Sequence, residues 1–154
     1  MSYYQQKAKY AYDLFLQGKP FKKVYAVVQK GDKYVVLHNK TKNSYQLSGG
    51  GVDKGEDNIK AIKREIVEEL NMQINIIKSL GTIKYFKTWR YEGKEFDVDY
   101  EAEIFYTSFV SYENNTKFGI EGEFDDKKID IVEISKETML QKVAEFTKFG
   151  LKFE

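Results

Sequence analysis

The stretch LSGGGVDKGEDNIKAIKREIVEELNM, residues 47–72, sets three consecutive glycines in front of an amphipathic segment dense in acid. Ile59, Ile62, Ile66 and Leu70 recur at i, i+3, i+7 and i+11, which aligns them on one stripe and predicts a helix over about 58–70. Asp57 is placed to cap its start. Asn71 falls just past its end, where the chain turns left-handed and Asn substitutes for Gly. At about 100° per residue, Glu65, Glu68 and Glu69 fall on an arc beside the apolar stripe, facing the preceding loop. When ionised, the 65/68 and 65/69 pairs each cost an isolated helix roughly 0.2–0.5 kcal/mol. Two arrangements relieve that repulsion. One is a solvated face with Lys60, Lys63 and Arg64 as partners, Arg64 and Glu68 forming an i, i+4 pair. The other is a hard divalent cation, toward which glycines without Cβ atoms let carbonyl and carboxylate oxygens converge.

Around this helix the periodicity changes. Tyr4, Ala8, Ala11 and Phe15 recur at helical spacing before the single proline, Pro20, and predict an N-terminal helix whose aromatics face either a partner subunit or the chain's own core. KVYAVVQK and KYVVLHN flank Gly31-Asp32 and read as a strand hairpin. Residues 41–44 are polar loop, and residues 74–87 read as one or two strands broken near Gly81. In 94–110, Phe96, Val98, Tyr100, Ala102 and Ile104 alternate with Asp97, Asp99, Glu101 and Glu103, giving a strand with one apolar and one acidic face. That acidic face is either a second metal site or a solvated surface paired with Lys84 and Lys87 on the neighbouring strand. KIDIVEIS is a last strand, and 136–148 a C-terminal helix. Interleaved strands and helices imply an α/β fold, with helices covering the faces of a mixed sheet.

Bulk properties narrow the function. One domain over 1–154 is expected, with an N-terminal helical extension over about 1–18. Lys and Arg number 25 against 24 Asp and Glu, a net charge of +1, so no global basic field draws in nucleic acid. The longest apolar run, residues 24–28, is far short of the roughly 20 residues of a membrane helix. The N-terminus MSYYQQKAKY lacks the apolar stretch of a signal peptide, and a cytoplasmic location is expected. With no cysteine there is no disulfide framework, thiolate nucleophile or cysteine zinc site. His38 stands alone, which leaves carboxylates as the hard-metal ligands.

Gly50, five residues, Glu56, seven residues, Arg64-Glu65, aliphatic Ile66, one residue and Glu68-Glu69 together resemble the Nudix box, the signature of the Nudix hydrolases. Two positions depart from it: Asn71 stands where a final glycine is expected, and Ser48 where many members have proline. The resemblance implies a Nudix-like α/β/α sandwich and hydrolysis of a nucleoside diphosphate derivative, by water attack on a phosphoanhydride with Mg²⁺ or Mn²⁺. By matching positions, Glu65, Glu68, Glu69 and the Gly49 carbonyl are the implied metal ligands, with Glu56, Gly50 and Arg64 supporting them. The general base is a box glutamate or one from a later loop. FGIEGEFDDKKIDIVEIS resembles the loop before the last strand of mutator-type pyrophosphatases, which makes Glu121 a candidate and Glu123 its rival. Outside the box, Tyr85, Phe86, Trp89, Arg90 and Tyr100 are candidates to stack a base or pair with a phosphate, the alternative being core. The implied partner is a small nucleotide, and the chain is expected as a monomer or homodimer. An RNA 5′-end pyrophosphohydrolase and a non-catalytic nucleotide sensor are the alternative functions. Near-neutral charge weakens the first, and the intact glutamate set argues against the second.

Overall fold

The computed structural model describes residues 2–113 and 128–153. Its elements run α1 (Tyr3–Gln17), β1 (Phe21–Lys30), β2 (Lys33–Asn39), β3 (Ser44–Gln46), β4 (Ser48–Gly51), α2 (Asn58–Leu70), β5 (Met72–Tyr91), β6 (Lys94–Tyr112), β7 (Ile129–Ile134), α3 (Lys136–Lys142) and α4 (Ala144–Thr147). The strands form one sheet in the order β3-β2-β1-β6-β5, with β4 on β1 and β7 on β2. Only β1 and β6 run parallel among these ladders; the others are antiparallel, so the sheet is mixed.

Alternation along β1 divides the core in two. Val24, Ala26 and Val28 face α2, where they meet Ile62, Ile66 and Leu70; Val27 faces the opposite side, with Met139, Val143 and Phe146 of the C-terminal segment. The result is an α/β/α sandwich with a mixed, open sheet. Each fully buried aliphatic side chain of α2 contributes about 2 kcal/mol relative to exposure. Ile59, placed on the same stripe by its spacing, is instead 47% exposed, because the first turn of α2 lies beyond the buried face.

The caps of α2 are those expected: Asp57 accepts from the Lys60 amide, and Asn71 adopts φ +58 with its own amide bonded to Val67. β5 is one strand, not two. The interruption near Gly81 is a bulge, with Gly81 at φ +116 and register shifts beside it. β5 and β6 form a hairpin longer than the sheet body, and α1 covers its far end. There Ala8, Ala11 and Leu14 pack with Trp89, Phe96, Val98 and Tyr100. Tyr4 rests on Trp89 and Phe15 on Phe96, with ring centroids 5.5 and 5.2 Å apart. The aromatics of α1 thus pack on the chain's own core, although Tyr4 and Phe15 keep exposed flanks.

The expected C-terminal helix over 136–148 is divided at Val143, which is extended at φ −81 and ψ 128. β-branched and fully buried, Val143 bridges Tyr45 of β3 instead of continuing the helix. On the acidic face of β6, Lys84 stands opposite Glu101 as expected, but Lys87 stands opposite Val98 on the apolar face. Thr88 bonds Asp97, and Asn58 and Ser79 both bond Glu103. Cross-strand and helix partners therefore occupy that face. Among the described residues it holds no cluster of metal-ligating side chains.

Candidate active site

β4 is built of the motif's glycines and lies between β1 and α2. A Cβ on Gly49 would stand 1.9 Å from the Val24 carbonyl oxygen, so only glycine lets β4 pair this closely with β1. A Cβ on Gly50 would stand 2.4–2.5 Å from the Glu65 carboxyl, so this glycine leaves the space that Glu65 fills. By contrast, a Cβ on Gly51 would meet only Phe21, at 3.7 Å.

Arg64 organises the acidic cluster. Its Nε and Nη2 donate to the two oxygens of Glu56, both at 2.9 Å, Nη2 also donates to the Gly51 carbonyl at 2.9 Å, and Nη1 donates to Glu65 at 2.9 Å. Glu68 lies 3.4 Å away and Asp53 3.4 Å. Glu56 also accepts from the Asp53 amide, which ties the loop between β4 and α2 to the guanidinium. This bidentate bond holds the Glu56 carboxyl below its ordinary range.

Glu65 and Glu69 sit differently. Burial raises the pKa of both, and that of Glu69 is pushed up to about 7 despite donors from the Gly49 amide at 2.9 Å and the Ser48 hydroxyl at 3.0 Å. Ser48, read as a departure affecting loop stiffness, is fully buried and supplies a hydrogen bond that proline could not. No local pattern marks that role, because the two residues meet only when β4 docks on α2. Glu68 is the exposed member of the three. One guanidinium thus serves four carboxylates, and Glu69 turns away to β4. Among the described residues no three acidic or histidine side chains are gathered closely enough to hold an ion as they stand. The donors nevertheless fit a hard divalent cation in kind, being carboxylate oxygens, those of Glu69 buried and those of Glu65 partly so, with one guanidinium among them.

A profile of the NUDIX domain matches residues 19–148. The chain belongs to the Nudix family. It is accordingly a pyrophosphohydrolase by class, acting on acid anhydrides, and α1 precedes the matched region. Nudix hydrolases act on small nucleotide derivatives and generally use divalent metals. No curated protein sequence matches the chain. Among solved structures, a NUDIX hydrolase from Nitrosomonas europaea is similar at 23% identity and TM-score 0.56, over 80% of this chain and 78% of that one. The E. coli ORF135 protein is similar at 16% identity and TM-score 0.53, over 86% and 88%. A UDP-X diphosphatase is similar at 15% identity and TM-score 0.55, over 84% of this chain and 59% of that one. At these identities the structures share the fold.

A cavity of about 330 Å³ opens beside the Nudix helix, on the sheet face covered by α3 and α4. Gly49 and Glu69 form part of its wall, with Lys23 near Glu69, and Tyr85, Lys87 and Tyr100 line it too. Trp89 is not there. It is buried beneath α1, donating to the Tyr100 hydroxyl at 2.7 Å, so it serves the core. Arg90 is exposed and paired with Glu95, and Phe86 is 64% exposed, both away from the cavity lining. These residues share a strand with Tyr85, but they lie beyond the sheet body, where α1 packs. Glu121 and Glu123 lie outside the described residues.

Proposed function

We propose that this Nudix enzyme hydrolyses a phosphoanhydride bond in a small nucleoside diphosphate derivative, such as a nucleoside triphosphate, with Mg²⁺ or Mn²⁺. The observation that carries this reading is the pair of carboxylates, Glu65 partly buried and Glu69 buried, held without full charge compensation, with Glu69 lining a cavity of about 330 Å³. Glu65, Glu68, Glu69 and the Gly49 carbonyl would hold the metal. When bound, the metal neutralises phosphate charge and lowers the pKa of a water. Arg64 orients Glu65 and Glu68 through its anchor on Glu56 and Gly51, so the carboxylates keep their places as substrate enters. Ser48 and the Gly49 amide hold one oxygen of Glu69, leaving the other for the ligand side. Lys23, which lies near both Glu65 and Glu69, offers a cation to substrate phosphate.

The reading is tested by phosphate and pyrophosphate release across a panel of nucleoside triphosphates, nucleotide sugars, dinucleoside polyphosphates and 5′-triphosphorylated RNA, with Mg²⁺ or Mn²⁺. Turnover confined to small nucleotides, lost in Glu68→Gln and Glu69→Gln, is expected. Turnover of the RNA alone would replace this reading with the RNA-end reading.

A further inference from the structure

A cleft of about 710 Å³ lies between α1 and the loop joining β4 to α2, and it shares no lining residue with the cavity beside Glu69. Tyr10 and Leu14 of α1 line one wall, Val52 and Gly55 of the loop another. Because α1 precedes residues 19–148, this cleft is built in part from chain that the NUDIX profile does not cover. Its size is within the range of small-molecule sites, roughly 300–1,000 Å³.

The charges around the cleft fall into two groups. Each carboxylate that lines it has a cationic partner: Asp13 pairs with Lys9 at 3.1 Å, and Asp53 and Glu56 pair with Arg64 at 3.4 and 2.9 Å. Lys19, Lys22 and Lys54 line it as well. Among the described residues none of these three lysines forms an ion pair or a side-chain hydrogen bond. They come from the turn after α1, from β1 and from the loop, and backbone bonds fix these stretches. The Lys19 amide donates to the Leu14 carbonyl at 3.0 Å, and the Val52 amide to the Lys22 carbonyl at 3.1 Å. Three ammonium groups are thus presented around one concavity, where their fields add. An anion that reaches more than one of them relieves their mutual repulsion.

We infer that this cleft binds a multiply charged phosphate anion, a di- or triphosphate, at a site separate from the metal cluster. A lysine is a compact point charge with three donors, and the several oxygens of a polyphosphate can engage three such groups where a monovalent anion engages one. Glu65 and Glu68, whose charges would oppose an anion, do not line the cleft.

The test is calorimetric titration of the full chain with inorganic tripolyphosphate in chelator, where no metal can bridge phosphate to the Nudix carboxylates. Saturable binding is expected, weaker for pyrophosphate and weakest for orthophosphate. Lys19→Ala, Lys22→Ala and Lys54→Ala should each weaken tripolyphosphate binding by roughly 2- to 5-fold, the worth of an exposed ion pair, and the triple variant by roughly 10- to 100-fold. All three side chains are exposed, so melting temperatures should stay at the wild-type value. The triple Lys→Arg variant, which keeps the charge, should bind at least as tightly as wild type. Lys33→Ala, which removes an exposed lysine at the start of β2, should bind as wild type does. Absence of saturable binding at millimolar tripolyphosphate, or equal weakening in Lys33→Ala and Lys22→Ala, would overturn the assignment. Binding that survives in the triple alanine variant but is lost in Lys23→Ala would overturn it too, by placing the anion at the cavity beside Glu69. Because no turnover is measured, the result is independent of the hydrolase reading.

Discussion

Replacing Gly50 with alanine tests how the glycine loop and the Nudix helix are joined. The new methyl would lie 2.4–2.5 Å from the carboxyl atoms of Glu65, far inside van der Waals contact, and Glu65 is the movable partner. Moving it breaks the 2.9 Å bond from Arg64, while Arg64 stays anchored on Glu56 and Gly51. Loss of one hydrogen bond to a charged group costs about 1.5–3 kcal/mol, and an off-rotamer Glu65 adds about 0.5–1.5 kcal/mol. A destabilisation of about 2–4 kcal/mol is therefore expected, with activity down by roughly 100-fold, as misplacement of a site group by about 1 Å commonly brings. Gly51→Ala is the control. Its methyl meets Phe21 at an ordinary 3.7 Å, and stability within about 1 kcal/mol of wild type is expected. Urea denaturation in chelator and kcat/KM with Mg²⁺ on the best nucleotide provide the two readouts. Wild-type stability and rate in Gly50→Ala, or equal damage in Gly51→Ala, would refute the close-approach reasoning.

Three further outcomes follow from the same site. In the metal-free protein the Glu69 carboxyl holds its proton up to about pH 7, against an ordinary value of 4.5. A raised folded-state pKa gives stability that is present below pH 4.5 and lost as pH rises to about 7, a span worth about 3 kcal/mol. Urea unfolding in chelator should therefore show Glu69→Gln more stable than wild type at pH 8 and no more stable at pH 4; equal pH dependence of the two proteins would contradict this. Arg64→Lys keeps the charge but loses the paired bonds to Glu56, and should cost about 2–3 kcal/mol together with most of the activity, measured by the same two assays. Asn71→Gly should be neutral or stabilise by about 0.5–1 kcal/mol, because it relieves a left-handed residue and removes a buried, unpartnered side-chain oxygen; a lower melting temperature would show that the Asn side chain serves the fold.

The features legible in the sequence are those set by residues close together in the chain. The span of α2, its Asp57 and Asn71 caps and its carboxylate arc follow from a period of about 3.6 residues. The β1–β2 hairpin follows from β-branched and aromatic runs on either side of Gly31-Asp32, the two-faced β6 from alternation, and Glu56, Arg64 and Glu65 converge because their spacing fits one loop and one helix. Long-range docking decided the rest. Periodicity put Ile59 on the buried stripe, but only the position of the sheet shows that the first turn of α2 lies beyond it. Val143 breaks the last helix because its burial and its bridge to Tyr45 outweigh local helical preference. Trp89 and Tyr85 lie on one strand, yet α1 buries the first and leaves the second lining the cavity. Ser48 meets Glu69 across 21 positions and Leu47 meets Glu145 across 98, separations at which no repeat or motif ties one residue to the other. Spacing can specify which carboxylates share a helix face. Which distant groups bury those carboxylates, and so set their charge, is decided only when β4 and the C-terminal segment close over the sheet.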